Sequence, residues 1–258
     1  MKYHKASSEL IRIIKKVCGK NKRVLHEPMF FGNEKTQINK CIDSSFVSTK
    51  SRMTNVFEYE ISKYTRAKYV IGTINGTSAL HMGLLSINLR QNEEVLLPSF
   101  NFVAAANAVS YCGAIPNFLE VEESTLSVDP IKMEKYLKNS FYIKNNRCIN
   151  LKTKRFVRAI IVPHLFGHPA KIDAIKRIAK KYYLYVVEDA AESLGSFYKK
   201  KHTGTFGDLG VLSFNGNKII TAGCGGAVIT NNKNLNNKIR NLIELSKKKH
   251  QWKFDYLS

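Results

Sequence analysis

Residues 184–195 read LYVVEDAAESLG, an apolar run that ends in two acidic residues. The run 184–187 is apolar and β-branched, which is typical of a strand buried on both faces. In a parallel α/β sheet, ligands bind beyond the carboxyl ends of the strands. Asp189 stands at such an end and is predicted to be functional. Taken alone, an acid after a strand is as often a helix cap or a magnesium ligand.

Short apolar runs and helical stripes alternate on both sides of this stretch. The runs that predict strands are 95–97, 117–121, 157–162, 184–187, 211–214 and 227–230. The stripes that predict helices are those beginning at Met53 and Thr77, then 102–109, 129–137 and 172–182. Repeated β-then-α order predicts the α/β class, with a mostly parallel sheet.

Three segments fall outside this alternation. Residues 140–155 are polar and basic, which predicts a surface insertion. Residues 231–238, rich in Asn and Lys, are predicted to form a loop. The segment before residue 20 is basic like a transit peptide, but Glu9 and the lack of an apolar core or a small-residue cleavage site favour a first helix.

The composition predicts a globular, cytoplasmic protein. A chain of 258 residues, of which 44% are apolar, can bury a core. No stretch approaches the roughly 18 uninterrupted apolar residues of a membrane span, so we expect no membrane partner. The five cysteines are odd in number and include no C-x-x-C pair, which favours a reducing compartment.

The net charge of +21 invites an anionic partner. Lysine and asparagine are spread over every segment, however, and the tight runs 199–201 and 247–249 lack the interleaved aromatic residues of a base-stacking surface. We therefore expect no specific nucleic-acid partner, and non-specific binding through charge is the competing hypothesis. A phosphate-bearing small substrate would also suit this charge.

The tripeptide Gly76-Thr77-Ser78 opens a predicted helix. Backbone N–H groups and the positive end of a helix dipole can bind a phosphate there, and the two hydroxyl groups add donors. An ordinary capped helix start is the alternative. Neither a Walker A motif nor a G-x-G-x-x-G after a strand is present, so ATP and NAD sites have no support.

The run 213–218 (SFNGNK) places Lys218 in a glycine-rich turn after an apolar strand. Partial desolvation there would lower the pKa of the amine and favour imine formation. A solvated lysine is the alternative. The order of the three features, a helix start, a strand-end acid and a turn lysine, favours the chemical interpretation.

His164 and His168 lie four residues apart in the run VPHLFGHP, which suggests a metal pair. The flanking prolines break the helix that would align the two rings, and no third ligand stands out. We therefore expect no metal and place this loop near the substrate.

Together these motifs resemble the DegT/DnrJ/EryC1/StrS family of aminotransferases that use pyridoxal 5'-phosphate (PLP) and act on sugars. The resemblance covers about residues 24–243. Residues 187–195 (VEDAAESLG) resemble the family's pyridine-binding segment, and residues 213–226 (SFNGNKIITAGCGG) resemble its lysine segment. The implied fold is a fold-type I PLP-transferase large domain, with a mixed, mostly parallel central sheet flanked by helices.

The resemblance also implies a role for each site residue. Lys218 would be the Schiff-base lysine and would move a proton between the sugar carbon and the cofactor. Asp189 would pair with the pyridinium nitrogen, Glu192 would face the phenolic oxygen, and Phe102 would stack on the ring. The phosphate would be held by three hydroxyl side chains, those of Thr77, Ser78 and Ser213. Many members have glutamine or histidine at position 192, and some have tryptophan at position 102.

Residues 24–33, 102–113 and 215–221 are most similar to the branch that acts on UDP-linked 4-keto-6-deoxy-N-acetylhexosamines. The implied reaction transfers an amino group from glutamate to the C4 keto group of a nucleotide-linked 4-keto-6-deoxy sugar. The product would serve surface polysaccharide or nonulosonic acid biosynthesis, and the implied assembly is a homodimer.

Family members are usually longer, with a C-terminal small domain that this chain largely lacks. The resemblance therefore implies an N-terminal helix and extended arm over residues 1–50, a PLP-binding large domain over 51–245, and the start of the C-terminal region over 246–258. A PLP-binding relic or structural partner subunit without activity is the alternative. A PLP dehydratase is disfavoured, because those members carry histidine where this chain has Lys218.

Overall fold

The computed structural model describes residues 2–19, 26–45, 51–243, 247–249 and 254–256. Its helices are α1 (Lys2–Cys18), α2 (Glu34–Asp43), α3 (Arg52–Thr65), α4 (Gly76–Ser86), α5 (Ala104–Tyr111), α6 (Pro130–Ser140), α7 (Ile172–Lys181) and α8 (Lys233–Ile243). Its strands are β1 (Tyr69–Thr73), β2 (Glu94–Pro98), β3 (Ile115–Leu119), β4 (Phe141–Lys144), β5 (Arg147–Asn150), β6 (Phe156–Pro163), β7 (Tyr185–Asp189), β8 (Phe197–Tyr198), β9 (Lys201–His202), β10 (Leu209–Ser213), β11 (Gly226–Thr230), β12 (Lys247–Lys249) and β13 (Phe254–Tyr256).

One large sheet organises the described residues. Seven of its strands follow the order β1-β11-β10-β7-β6-β2-β3, while β5 pairs with β6 and β4 with β5. Strands β10, β7, β6, β2 and β3 are parallel neighbours, and β11 runs antiparallel to β10 and β1. The predicted α/β fold with a mixed, mostly parallel sheet is confirmed. Because these central strands are parallel, their carboxyl ends meet at one edge.

The sheet has a helical layer on each face. On β6, Ala159 and Ile161 pack against apolar residues of α4, α5 and α8, whereas Ile160 and Val162 pack against α6 and α7. Successive side chains of a strand point to opposite faces, so a run that is apolar throughout fills both cores. This accounts for the uninterrupted apolar runs of the sequence.

Two predicted helix starts are confirmed by their caps. The Ser51 side chain accepts the N–H of Thr54 at 3.2 Å at the start of α3. Asp129 Oδ1 accepts the N–H of Ile131 at 2.9 Å at the start of α6, which has proline in its first turn. The predicted first helix is also present, as α1.

The segment 140–155 is not a simple surface loop, as its polar sequence had suggested. It forms a hairpin of β4 and β5 that adds to the sheet beside β6. A buried carboxylate holds it in place: Glu94 accepts hydrogen bonds from Asn150 Nδ2 at 2.9 Å and from Thr153 Oγ1 at 2.5 Å. The polar residues that looked solvated therefore satisfy a buried acid.

The prediction of a loop over residues 231–238 was wrong, because α8 begins at Lys233. Asn232 Oδ1 accepts the N–H of Asn234 at 2.9 Å and caps the helix. Leu235 and Ile239, four residues apart, are buried in the core beneath α4. The sequence carried this spacing, but the surrounding Asn and Lys residues obscured it. Strand β1 had not been predicted.

The expected domain boundaries fall at residues 50 and 245, which lie outside the described residues. The sheet and its helices occupy residues 52–243. Among the described helices, none combines the length and the apolar character that a bilayer crossing needs.

Candidate active site

A cavity of about 250 Å³ lies where the parallel strands end and α4 begins. Six of the seven predicted site residues line it, namely Thr77, Phe102, Asp189, Glu192, Ser213 and Lys218. They come from four separate parts of the chain. These parts of the chain come together because neighbouring parallel strands end at the same edge of the sheet. Val211 of β10 and Pro163 of β6 are both in register with Asp189 of β7.

Ser78, the seventh predicted residue, lies elsewhere. Its N–H is donated to Asn75 Oδ1 at 2.8 Å, which caps α4, and Ser78 lines a neighbouring apolar cavity. This cap leaves the N–H groups of Gly76 and Thr77, in the first helical turn, for an outside acceptor. A Cβ added at Gly76 would lie 3.0 Å from the Cβ of Ser213, a tight contact, so glycine favours the close approach of α4 to β10.

Lys218 projects its amine into the cavity. The side chain is 12% exposed, and Nζ lies 3.3 Å from Glu192 Oε1. The amine also lies 5.6 Å from the centroid of the Phe102 ring. A turn fixes the backbone, because the N–H of Lys218 donates to the carbonyl of Asn215 at 3.0 Å. The solvated lysine that the sequence left open is therefore excluded.

Asp189 ends β7, and its side chain faces the cavity. Its Oδ1 accepts the N–H of Ala191 at 3.2 Å. Burial raises the pKa of the Asp189 carboxyl above its ordinary value, although the Ala191 N–H and the charge of Lys218 act in the opposite direction. A cation that faced this carboxylate would offset the cost of its burial.

A buried pair that sequence reasoning missed lies directly behind Asp189. His164 Nε2 is 2.9 Å from Glu188 Oε2, and both side chains are fully buried. Nδ1 of His164 accepts the N–H of Ala170 at 3.1 Å, so the ring proton is on Nε2 and is donated to Glu188. Glu188 also accepts the N–H of Gly204 at 2.9 Å. The pair ties the ends of β6 and β7 to the loop before β10.

The hydrogen bonds with Glu188 and with the N–H of Ala170 together occupy both ring nitrogens of His164. The described residues contain no group of three or more His, Cys, Asp or Glu that could hold a metal ion. His168 lies apart from His164 in the wall of a second, wider opening. The sequence placed this loop near the substrate, and the structure puts it beside Lys218 and Glu192.

Glu192 links the lysine to that loop. While Oε1 lies near Lys218, Oε2 accepts the N–H of Phe166 at 3.0 Å. Phe166 has a left-handed backbone (φ 52°, ψ 25°), and Gly167 follows with φ 82°. The left-handed region is uncommon for an aromatic residue. The sequence gave no signal for this contact, since residues 166 and 192 are far apart along the chain.

A mostly parallel sheet that brings a lysine, a strand-end aspartate and a helix N-terminus to one edge defines the class of fold-type I PLP-binding proteins. Comparison with known proteins gives the same class and identifies one family within it. The sequence profile of the DegT/DnrJ/EryC1/StrS aminotransferase family matches residues 31–257, and the chain belongs to this family. Aminotransferases of this family are PLP-dependent.

Two curated relatives are GDP-perosamine synthases. That of Escherichia coli O157:H7 is 37% identical over 211 residues, which are 82% of this chain and 54% of the relative. That of Vibrio cholerae is 36% identical over 209 residues, which are 80% of this chain and 52% of the relative. The chain thus spans about half the length of these relatives.

Solved structures support the same family and fold. The crystal structure of a DegT DnrJ EryC1 StrS aminotransferase from Brucella abortus superposes with a TM-score of 0.78 at 29% identity, covering 87% of this chain and 57% of that one. The family and the fold-type I architecture expected from the sequence are both confirmed.

Proposed function

We propose that this chain is the cofactor-binding half of a PLP-dependent aminotransferase that carries an amino group from glutamate to the C4 keto group of a nucleotide-linked 4-keto-6-deoxy sugar. The observation that carries the proposal is the amine of Lys218, held in the cavity that Asp189 lines. The GDP-perosamine synthases among the relatives support a nucleotide-linked sugar as the substrate class. The nucleotide is GDP in those relatives, whereas the sequence motifs favour UDP.

The residues around the cavity fit PLP at both ends of the cofactor. Asp189 would hold a proton at the pyridine nitrogen, and the resulting cation would stabilise a carboxylate whose pKa burial raises. When bound, PLP supplies an electron sink for the charge that develops on the reacting carbon. Phe102, beside the amine of Lys218, would cover one face of the ring.

The phosphate would lie at the start of α4. The N–H groups of Gly76 and Thr77 and the positive end of the helix dipole would bind it there, with the hydroxyl groups of Thr77 and Ser213. The role of Ser78 as a phosphate ligand remains a prediction. Its N–H is already donated to Asn75, so its contribution would be to cap the helix.

Lys218 would hold the cofactor covalently and, once released, would take up and return the substrate proton at Nζ. Its protonated amine has an acceptor within reach, because Glu192 Oε1 lies 3.3 Å away. Glu192 thereby keeps the lysine directed into the cavity. We expect this contact to replace, in part, the predicted contact between Glu192 and the phenolic oxygen.

We also propose a homodimer. Two apolar side chains that follow Lys218 near the mouth of the cavity are exposed: Ile219 is 61% and Ile220 58% accessible. A second copy would bury them, and contiguous exposed apolar surface of this kind marks interaction sites. The absence of a nucleic-acid partner and the cytoplasmic location stay predictions.

PLP absorbance tests the cofactor assignment. Addition of PLP to the purified chain is expected to give the absorbance band of a lysine-bound cofactor, and Lys218→Ala is expected to abolish it. Lys135→Ala, at an exposed position of α6, is the matched control and should keep the band. A band that persists in Lys218→Ala would overturn the assignment of the reactive lysine.

A turnover assay distinguishes the proposed enzyme from the alternative hypothesis, a PLP-binding chain without activity. Glutamate should bleach the band, and a nucleotide-linked 4-keto-6-deoxyhexose should restore it. A band that neither compound changes would leave the inactive binding chain as the function.

A further inference from the structure

His164 follows β6 and contacts both of the last two residues of β7. Its backbone N–H donates to the carbonyl of Asp189 at 3.0 Å, and its ring Nε2–H donates to Glu188 Oε2 at 2.9 Å. From these contacts we propose that His164 is a positioning residue, which keeps the carboxylate of Asp189 directed at the ring nitrogen of the cofactor. This inference rests on the proposed function and assigns a further residue to it.

The carboxylate of Asp189 depends on its backbone for its position. Among the described residues, its one hydrogen-bond donor is the N–H of Ala191, at 3.2 Å. The backbone is held from both neighbouring strands: His164 donates to the Asp189 carbonyl, and the N–H of Ala190 donates to the carbonyl of Val211 at 2.9 Å. A displacement of about 1 Å at a reacting group can cost roughly 100-fold in rate. The contact with His164 therefore bears on the chemistry as well as on the fold.

Glu188 gives the His164 ring a fixed point to bind. Its side chain is fully buried and accepts three backbone N–H groups, those of Gly204 at 2.9 Å, Phe206 at 2.6 Å and Gly207 at 2.5 Å. The Nε2–H of His164 is the fourth donor and comes from a side chain. A carboxylate with four donors is ionised and firmly placed, because moving it would leave buried donors unpaired.

The imidazole of His164 carries one proton and is neutral. Its Nδ1 accepts the N–H of Ala170 at 3.1 Å, so the proton is on Nε2. Exchanging this ring for an uncharged amide consequently leaves the surrounding charges in place. Those charges are Lys218 and Glu192 near Asp189, with Lys201 and His202 near Glu188. A changed pH response of the cofactor in such a variant would then report a change of position.

Two amide variants separate the two ring nitrogens of His164. In His164→Gln, the amide group reaches the place of Nε2 and can donate to Glu188. In His164→Asn, the shorter side chain can accept the Ala170 N–H at the place of Nδ1 but does not reach Glu188. The proposal predicts that glutamine replaces histidine and that asparagine does not.

A pH titration of the absorbance of the PLP-loaded chain tests this difference. A proton on the ring nitrogen withdraws electrons from the nitrogen that joins Lys218 to the cofactor, so a displaced Asp189 should raise the pH midpoint of the band. We expect His164→Asn to raise the midpoint by roughly one unit, which is about 10-fold in proton affinity. His164→Gln should titrate like the wild type.

Asn150→Leu is the matched control. Asn150 Nδ2 donates at 2.9 Å to Glu94, another buried carboxylate, which lies at the start of β2 and hence at the opposite edge of the sheet. The variant removes an uncharged donor from a buried carboxylate, as His164→Asn does. It should lower the thermal unfolding midpoint and leave the pH midpoint of the band unchanged.

Two results of the titration would overturn the inference. A wild-type pH midpoint in His164→Asn, with lowered thermal stability, would show that His164 supports only the fold. An equal shift in both amide variants would show that the contact with Glu188 is not responsible. A wild-type band in these experiments would leave the cofactor assignment standing. A wild type without a band would reject the proposed function and this inference with it.

Nuclear magnetic resonance of the wild type, labelled with ¹⁵N-histidine, tests the inference even if a variant does not fold. His164 should show a proton on Nε2, and its signals should shift when PLP binds. His202 is a buried reference with the opposite tautomer, because its Nε2 accepts the N–H of Gly195 at 3.0 Å and its Nδ1 contacts the carbonyl of Thr203. An unprotonated Nε2 on His164, or signals that do not respond to PLP, would overturn the inference.

Discussion

The surroundings of Asp189 disfavour the ionised form of its carboxyl group. It accepts one N–H, from Ala191, and burial raises the pKa of its carboxyl. The folded chain therefore binds this proton more tightly than the unfolded chain. The stability linked to that proton is complete below the ordinary pKa of about 3.9 and is lost as the pH rises through the raised value. At neutral pH the ionised carboxylate destabilises the cofactor-free fold.

Asp189→Asn should therefore raise the thermal unfolding midpoint of the cofactor-free chain at neutral pH. The difference should shrink as the pH falls below the ordinary pKa of about 3.9, because the carboxyl then becomes protonated in both the folded and the unfolded chain. Bound PLP should raise the midpoint of the wild type more than that of the variant, because asparagine cannot stabilise a cationic ring nitrogen. Differential scanning fluorimetry across pH, with and without PLP, measures both effects.

Amino transfer by Asp189→Asn should fall on the order of 100-fold or more, since the variant cannot hold the ring proton. Asp43→Asn, at an exposed site near the end of α2, provides the control and should change neither stability nor transfer. An Asp189→Asn variant that transfers at the wild-type rate, or that melts below the wild type at neutral pH, would contradict this account.

At the scale of elements, the site depends on how the ends of α4 and β10 meet. Gly76 begins the helix, and a side chain there would make a tight contact with Ser213. The N-terminus of α4 can thus lie directly against the strand end that precedes Lys218. Helix α8 supports the same face of the sheet, because Leu235 and Ile239 pack in one core with Leu80 and Leu84 of α4.

Ile239→Ala tests the place of α8 in this core. The side chain is fully buried, so the substitution should lower the free energy of unfolding by about 2–5 kcal/mol. Urea unfolding followed by circular dichroism measures the change. Ile131→Ala, which truncates an isoleucine that is 80% exposed on α6, should cost far less. Equal effects of the two variants would mean that residues 233–243 do not pack as α8 does here.

At the scale of the whole molecule, the site opens at a sheet edge surrounded by exposed apolar side chains. The residues proposed to bind the cofactor line one cavity, and the exposed side chains of Ile219 and Ile220 follow Lys218 at its mouth. The proposed cofactor binding and the proposed assembly can therefore be tested separately.

The proposed homodimer predicts an effect at that mouth. Ile220→Glu places a charge in surface that a second copy would bury, so it should shift the chain toward the monomer. Size-exclusion chromatography with light scattering over a range of concentrations measures the mass. Ile131→Glu, on exposed α6, should leave the mass unchanged. A wild-type chain that is monomeric throughout would reject the homodimer.

The sequence by itself determined the architecture and the family, and it suggested the residues of the proposed site. Apolar runs such as 157–162 and 184–187 are typical of buried strands, and their alternation with helical stripes favours a mostly parallel sheet. Asp189 and Lys218 were identifiable because each follows a strand, and parallel strands end at one edge. Each of these features depends on residues close together in the sequence, so the sequence pattern is enough to predict it.

Only the tertiary structure decided which side chains touch. The contact of Glu192 with both Lys218 and Phe166, and that of His164 with Glu188, join segments more than twenty residues apart. The burial of Asn150 against Glu94 likewise turned a polar segment into a sheet hairpin. A hydrogen bond forms according to distance and angle in space, and neighbouring positions along the chain carry no record of either.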